Sequence, residues 1–242
     1  MQDIHKESRL SIMQPYFFPY IGYFHLINSS DKIVFYDDVA FIKNGWINRN
    51  RLLLENVPHL FTVPLQKKSS FKLIKDTMVD KSIYSIWKIK FLKTIKTSYS
   101  KAPYFKPIYE LVESVVNSDF ESISDLAINS IISVYDYLGQ EIKYTKSSII
   151  SPNFVELNRV SRLVEITQSL GYKRLINPIG GRDLYIKKEF KEKGVDLNFV
   201  QPVQLTYKQF NGEHVAWLSI IDILMFLDKE EILTRFSTFN IE

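Results

Sequence analysis

At 242 residues the chain is long enough for one sizeable domain, and its 45% hydrophobic and 24% charged composition is that of a soluble globular protein. A formal net charge of +4 is a mild bias toward anionic ligands, and with no dense basic run or nucleic-acid motif DNA is not an expected partner. Cysteine is absent, which excludes thiolate catalysis, disulfides and thiolate metal sites.

The N-terminal MQDIHKESRL lacks the apolar core of a signal peptide, and the apolar run near Trp217–Leu227 is too short to span a bilayer and contains Asp222. A cytoplasmic protein without a membrane span is the expectation. Leu10 to Met13 reads as a strand stopped by Gln14-Pro15, Ile21 to Ile27 as a helix ended by Ser29-Ser30-Asp31, and Lys32 to Tyr36 as a second strand closed by Asp37-Asp38. In a parallel βαβ unit ligands bind beyond the carboxyl ends of the strands. Two polar clusters fall there: Gln14 to Tyr20, and Asp37 to Arg51, which reads as a loop.

The stretch Asn56 to Asp80 interrupts this rhythm. His59–Leu65 and Phe71–Val79 read as strands of a hairpin joined by a lysine-serine turn. Lys81 to Tyr99 reads as a helix, and Pro103 and Pro107 bracket a break before a helical Ile108–Asn117. Three helices then end at Gly139, Gly171 and Gly194, each followed by a strand-like run: Glu141–Lys146, Lys173–Ile176 and Val195–Val200. Leu157, Val160, Leu163, Val164 and Leu170 give the middle helix its apolar face. The fold class expected is α/β, with a Rossmann-like N-terminal βαβ unit in a largely parallel sheet, additional helices and a small hairpin insertion. Residues 1–242 read as one domain; a subdivision at 9–80 and 81–242 is the alternative.

The four histidines show no paired metal spacing, and there is no P-loop, nucleophile elbow or glycine-rich dinucleotide fingerprint. No metal and no tightly bound cofactor are expected. Candidate chemistry rests on carboxylates, tyrosines, Arg49 and backbone amides. The segment from Gln14 through Tyr16, Tyr20, Gly22 and Tyr23 resembles the helix start of nucleotidylyl transferases that carry His-x-Gly-His there, with Tyr20 and Tyr23 around Gly22. Tyrosine supplies no positive charge, so nucleotide binding survives in this reading better than nucleotidyl transfer. Phe17, Phe18 and Phe24 read as core. Asp38 is the candidate general base, since adjacent strand residues point opposite ways and only one of Asp37 and Asp38 faces a cleft; a turn or cap carboxylate is the alternative. His25 and Asp222 are next in line as bases. Lys43, Trp46, Asn48, Arg49 and Arg51 form a cationic, aromatic stretch suited to phosphate or carboxylate. Asn177, Gly180 and Gly181 follow a strand, where amides converge on an anion or make an ordinary turn. Ser219 and Asp222 have capping-box spacing; otherwise Asp222 orients a ligand or Tyr207.

Taken together, Gln14–Phe24, Asp37-Asp38-Val39, Trp46 with Asn48-Arg49-Asn50-Arg51, Tyr99 with Lys101–Phe105, Gly180-Gly181 with Tyr185, Tyr207-Lys208-Gln209 and Leu218–Asp222 resemble the WbqC-like proteins of bacterial surface-polysaccharide gene clusters. The resemblance runs nearly the length of the chain. It implies modification of an amino sugar in O-antigen assembly, with glycine or another aminoacyl group transferred. Two positions depart from the pattern: Ala40 stands where glutamine is expected and Phe91 where histidine is expected.

The function expected is N-acyl or aminoacyl transfer to the amine of a nucleotide-linked sugar. The basic stretch holds the diphosphate, Asp38 deprotonates the ammonium, and backbone amides or Asn48 stabilise the oxyanion. A thioester, carrier-protein or aminoacyl donor serves as co-substrate. ATP-dependent ligation and non-catalytic nucleotide-sugar binding are the alternatives.

Overall fold

A computed structural model describes residues 8–67, 69, 71–150, 157–210 and 213–242. Its frame is a six-stranded sheet ordered β5-β2-β1-β6-β7-β8, built from β1 (Arg9–Met13), β2 (Lys32–Phe35), β5 (Tyr144–Lys146), β6 (Arg174–Pro178), β7 (Asp196–Pro202) and β8 (Phe239–Ile241). The first five run parallel and β8 is antiparallel to β7. The chain winds outward from β1 through β2 to β5, then returns to β6 on the other flank of β1. The strand order therefore reverses between β1 and β6, the switch point where open α/β sheets bind ligands. The sheet takes strands from both sides of residue 80.

Strand alternation produces two apolar faces. Leu10, Ile12, Val34, Leu175, Leu197 and Phe199 pack with Leu163, Val164 and Ile166 of α6 (Arg159–Ser169) and with Phe190 of α7 (Lys187–Glu192). Ile176 and Val200 face the other way, onto Leu26 of α1 (Ile21–Asn28). Every residue of α1 from Ile21 to Ile27 is buried, as befits a helix held between the sheet and a further layer. That layer is inserted between β2 and β5: an antiparallel ribbon of β3 (Arg49–Leu54) and β4 (Val57–Thr62), then α2 (Lys81–Tyr99), α3 (Phe105–Asn117) and α4 (Ile123–Leu138). Its core joins Phe17, Phe41, Leu52, Phe61, Phe91 and Ile131. Two short helices, α8 (Ile220–Phe226) and α9 (Lys229–Phe236), close the second face. The four-residue α5 (Ser147–Ile150) follows β5. Among the described residues no helix is long and apolar enough to cross a membrane.

The glycine-then-strand pattern holds. Gly139 caps α4 at φ 70°, with Gly139 N–H and Gln140 N–H reaching back to Asp136 O and Tyr135 O; Gly171 and Gly194 stand at φ 78° and 80° before β6 and β7. The hairpin is displaced from its expected place. Its strands are Arg49–Leu54 and Val57–Thr62, turning at Glu55-Asn56, both with positive φ. Phe71–Val79 forms only isolated bridges, Ala40 to Leu73, Leu65 to Val79 and Met78 to Ser122, and Lys68 and Ser70 of the expected turn lie outside the described residues. Arg49 and Arg51 thus sit on a strand, not in a loop. Pro107 does not precede α3 but lies in its first turn, where no intrahelical amide donor is needed.

A cationic cleft at the switch point

A cleft of about 920 Å³ opens at the carboxyl ends of β1 and β6. Its floor is the segment from Gln14 to Tyr23, tied down from three directions. Phe17 N–H donates to Ile47 O at 3.0 Å and Phe18 N–H to Ser130 Oγ at 2.9 Å. Phe18 O accepts from Asn50 Nδ2 at 2.8 Å and Ser219 Oγ at 2.7 Å, and Pro19 O from Ile220 N–H at 2.8 Å. Phe18 has φ 42°, costly for a bulky side chain; these bonds and its complete burial hold it there.

This floor delivers the start of α1. Tyr20 precedes the helix without a side-chain cap, and the first turn holds no acidic residue. Amides at a helix start lack intrahelical partners and favour an anion. The Tyr20 ring lies over Gly22 so closely that a Cβ there would stand 2.4 Å from it. Tyr23 Oη donates to Gln14 O at 2.8 Å, and its ring lies 5.6 Å from that of Tyr16. Burial pushes the Tyr16 phenol up to about 12 and the Tyr23 phenol well above its ordinary value, so both remain neutral donors.

Two arginines flank Trp46: the guanidinium carbons of Arg49 and Arg51 lie 5.5 and 5.3 Å from its ring centre. They differ in what else they do. Arg49 Nε donates to Gly45 O at 2.9 Å and Nη2 to Asn44 O, so it fastens the turn before β3 and does not line the cleft. Arg51 lines the cleft, and its Nε is buried without a partner. Lys43 is exposed and outside the lining. Trp217 also lines the cleft, half exposed, at φ 60° and edge-on to Tyr20 at 5.9 Å.

The β6 side contributes Asn177, buried, with Gly180 and Gly181 in a 3₁₀ turn, Ile179–Leu184. A Cβ on Gly181 would meet Asn177 Nδ2 at 3.2 Å, so glycine lets the amide approach the turn. Tyr185 lines the same wall; burial raises its phenol against the opposing Arg159 charge. Tyr36, likewise pushed up to about 12 by burial against the charge of Arg162, faces that guanidinium at 4.9 Å.

Asp38 does not line the cleft. It is buried, with Oδ2 2.7 Å from Arg162 Nη2 and Oδ1 accepting from Ser147 Oγ. The opposed orientation expected for the two aspartates is also corrected: Asp37 accepts from Ser147 Oγ at 3.2 Å and from Ser148 N–H and Oγ at 3.1 and 2.9 Å, so both carboxylates converge on the start of α5. β2 ends at Phe35, and strand alternation no longer applies.

Other expected site residues serve elsewhere. Asn48 donates to Val63 O at 2.8 Å, closing the open end of the hairpin. His25 is fully buried against Arg235 O at 3.0 Å; burial lowers its pKa, with that hydrogen bond opposing. Ser219 caps α8 and accepts weakly from Ile221 N–H, but Asp222 does not complete a capping box. Its Oδ1 accepts from Tyr207 Oη and, at 2.7 Å, from Gln209 Nε2; its Oδ2 accepts from Tyr99 Oη at 2.7 Å. Tyr99 Oη in turn accepts from Leu53 N–H at 2.8 Å, and Gln209 Oε1 from Val215 N–H at 2.8 Å. This network fastens the segment bearing Trp217. It also ties the Tyr207 hydroxyl to Asp222.

The structure brings to the cleft Gln14, Tyr16, Tyr20, Gly22, Tyr23, Trp46, Arg51, Asn177, Gly180, Gly181 and Tyr185, but not Lys43, Asn48, Arg49, Tyr207, Gln209, Ser219, His25, Asp38 or Asp222. Sequence reasoning missed Tyr36, Arg159, Arg162 and Trp217. Arg162 left one signal: an arginine beside Leu163 and Val164 on an apolar helix face requires a buried counter-charge. Among the described lining residues there are three arginines, Arg51, Arg159 and Arg162, and no carboxylate or histidine. No three described His, Asp or Glu side chains gather as metal ligands.

The chain is 24% identical to the uncharacterized protein Rv1507c of Mycobacterium tuberculosis over 220 residues, covering 90% of this chain and 93% of that one. No solved structure matches it. The model of the WbqC-like protein family matches residues 14–234, from the cleft floor to α9, and the chain belongs to that family.

Proposed function

We propose that the cleft binds a nucleotide-linked amino sugar and that the protein transfers an acyl or aminoacyl group to the sugar's amine in surface-polysaccharide assembly. The observation that carries this reading is the cleft's charge: Arg51 and Arg159 line it without a carboxylate partner among the described residues, beside an uncapped helix start, while the charge of Arg162 is met by Asp38. A diphosphate meets Arg51 and the first amides of α1. Tyr20, Trp46 and Trp217 offer ring faces to base and sugar. Asn177 and the amides near Gly180 and Gly181 replace Asn48 as donors to the developing oxyanion. With Asp38 engaged by Arg162, rate enhancement rests on holding the neutral amine against the activated acyl carbon.

A second reading, a nucleotide-sugar binder without turnover, draws on the lack of a carboxylate or histidine in the described lining. One experiment separates them. Uridine- and thymidine-diphosphate amino sugars are screened by thermal shift. Those that bind are incubated with coenzyme A, carrier-protein and aminoacyl donors, with ATP in parallel, and the products weighed by mass spectrometry. An added acyl mass supports the transferase. Binding without turnover favours the second reading, and a panel without any shift removes both.

A further inference from the structure

The outer face of α2 carries a pattern that neither the core nor the cleft uses. Its inner face buries Tyr84, Phe91, Ile95 and Tyr99. On the other side Ile83, Ile86, Lys90 and Lys93 succeed one another at spacings of three, four and three, a single helical stripe, with Ile89 and Lys96 beside it. The three isoleucines are 49%, 59% and 67% exposed. Isoleucine gains nothing as a solvent-facing helix residue, being β-branched and costly to hydrate. The helix has five lysines and no carboxylate. Lys81 is engaged with the Phe120 carbonyl and ring, and Lys88 donates to Asn117 Oδ1 at 2.6 Å. Lys90, Lys93 and Lys96 are exposed, and among the described residues none forms an ion pair with a carboxylate.

We infer that this face docks on an anionic lipid surface, with α2 lying in the plane of the headgroups. Exposed isoleucines and unpaired lysines on one helix face, with no anionic side chain on the helix, suit a surface that is apolar beneath and negatively charged above. Charge complementarity selects anionic over zwitterionic lipid: lysines near such a surface each strengthen binding about five-fold at physiological salt. None of the stripe residues lines the cleft, so docking leaves the ligand site open.

The test is co-sedimentation of the full chain with vesicles rich in phosphatidylglycerol or made of phosphatidylcholine alone, at low and high salt. Binding to the anionic vesicles that weakens with salt, with little on the neutral ones, is expected. Replacing Lys90, Lys93 and Lys96 together by Gln should weaken it by about a hundred-fold, and Ile86→Ser with Ile89→Ser by about ten-fold. All five side chains are exposed, and unchanged melting and circular dichroism show that the variants fold. Equal binding to both lipids, none to either, or no response to the substitutions overturns the inference. So does a dimer in light scattering that the isoleucine substitutions dissolve, which gives the face to a second copy of the chain.

Discussion

Asp38 Oδ2 lies 2.7 Å from Arg162 Nη2, with the two side chains 3% and 8% exposed. The carboxylate at the end of β2 thereby holds a cleft-lining guanidinium on α6. Removing one partner of a buried pair strands the other charge, at a cost of about 3–5 kcal/mol. Asp38→Asn and Arg162→Ala are therefore expected to lower unfolding free energy in urea by about that amount each. Their double variant should lose less than the sum, because the stranded charge is gone. A folded Asp38→Asn protein of unchanged stability but strongly reduced turnover would return Asp38 to the role of base.

Arg49 and Arg51 share Trp46 but not a task. Arg51→Ala should weaken nucleotide-sugar affinity by about 1.5–3 kcal/mol, with Arg51→Lys recovering part, since the planar fork is lost. Arg49→Ala should leave affinity nearly unchanged and instead lower the melting temperature, as Gly45 O and Asn44 O lose their donor. Calorimetric titration and thermal melts of both variants check the division, and the reverse pattern would exchange the roles.

The frame was legible where local chemistry and packing agree. Leu10–Met13 and Lys32–Tyr36 are short apolar runs with clear stops, and the runs after Gly139, Gly171 and Gly194 are marked by the glycine that ends the helix before each. β3 was not, because Arg49 and Arg51 alternate with Asn50 and Leu52 and so read as a polar loop. β4 was read in part, as the strand His59–Leu65; its start at Val57-Pro58 was not, because Pro58 weakens the strand signal there. At the site, the contiguous Gln14–Tyr23 floor was legible, since one strand end positions all of it. Arg159, Arg162 and Trp217 were not: sheet topology brings them in from far along the chain. Tyr207, Gln209 and Asp222 look like site residues in sequence, yet they spend their hydrogen-bonding groups on one another and on Tyr99.

Their network predicts a pH dependence. Burial raises the Asp222 carboxyl above 3.8; hydrogen bonds from Tyr207, Tyr99 and Gln209 and the charge of His214 oppose this without cancelling it. The folded state then binds the proton more tightly than the unfolded chain. Asp222's contribution is fullest below 3.8 and is lost as pH rises from there through the folded pKa. Asp222→Asn, which cannot ionise, should lack this loss. The stability difference, wild type minus variant, should fall as pH rises from 3.8 to the folded pKa, by about 1.4 kcal/mol for each pH unit crossed, and then level off. Urea unfolding at a series of pH values measures it, and a difference that rises with pH would reverse the assignment.

His25 makes the opposite case. Its folded pKa is lowered below 6.5 because the ring is buried, against the bond to Arg235 O. Stability from the neutral ring is complete above 6.5 and is lost as pH falls through the folded pKa. His25→Gln should flatten the acid-side decline in unfolding free energy between 6.5 and that lower value. Ligand affinity should not change, since the ring lies outside the cleft. Loss of affinity on this substitution would place His25 back among the site residues.

Gly22 tests whether the aromatic wall matters. A Cβ there would stand 2.4 to 2.6 Å from Cε2, Cζ and Oη of Tyr20. Those atoms are the far end of a side chain that can swing away, so Gly22→Ala should cost little stability, and alanine's better helix propensity, about 1 kcal/mol, offsets part of it. The displaced Tyr20 ring, however, leaves its place beside Trp217 and over the start of α1. If that ring packs on the bound ligand, Gly22→Ala should weaken binding as much as Tyr20→Ala does, and the two substitutions together should do no more than either alone. Calorimetric affinities of the two single variants and the double variant give the coupling. Full additivity would mean that Gly22 and Tyr20 act separately, and that the ring's place over the helix start has no part in binding.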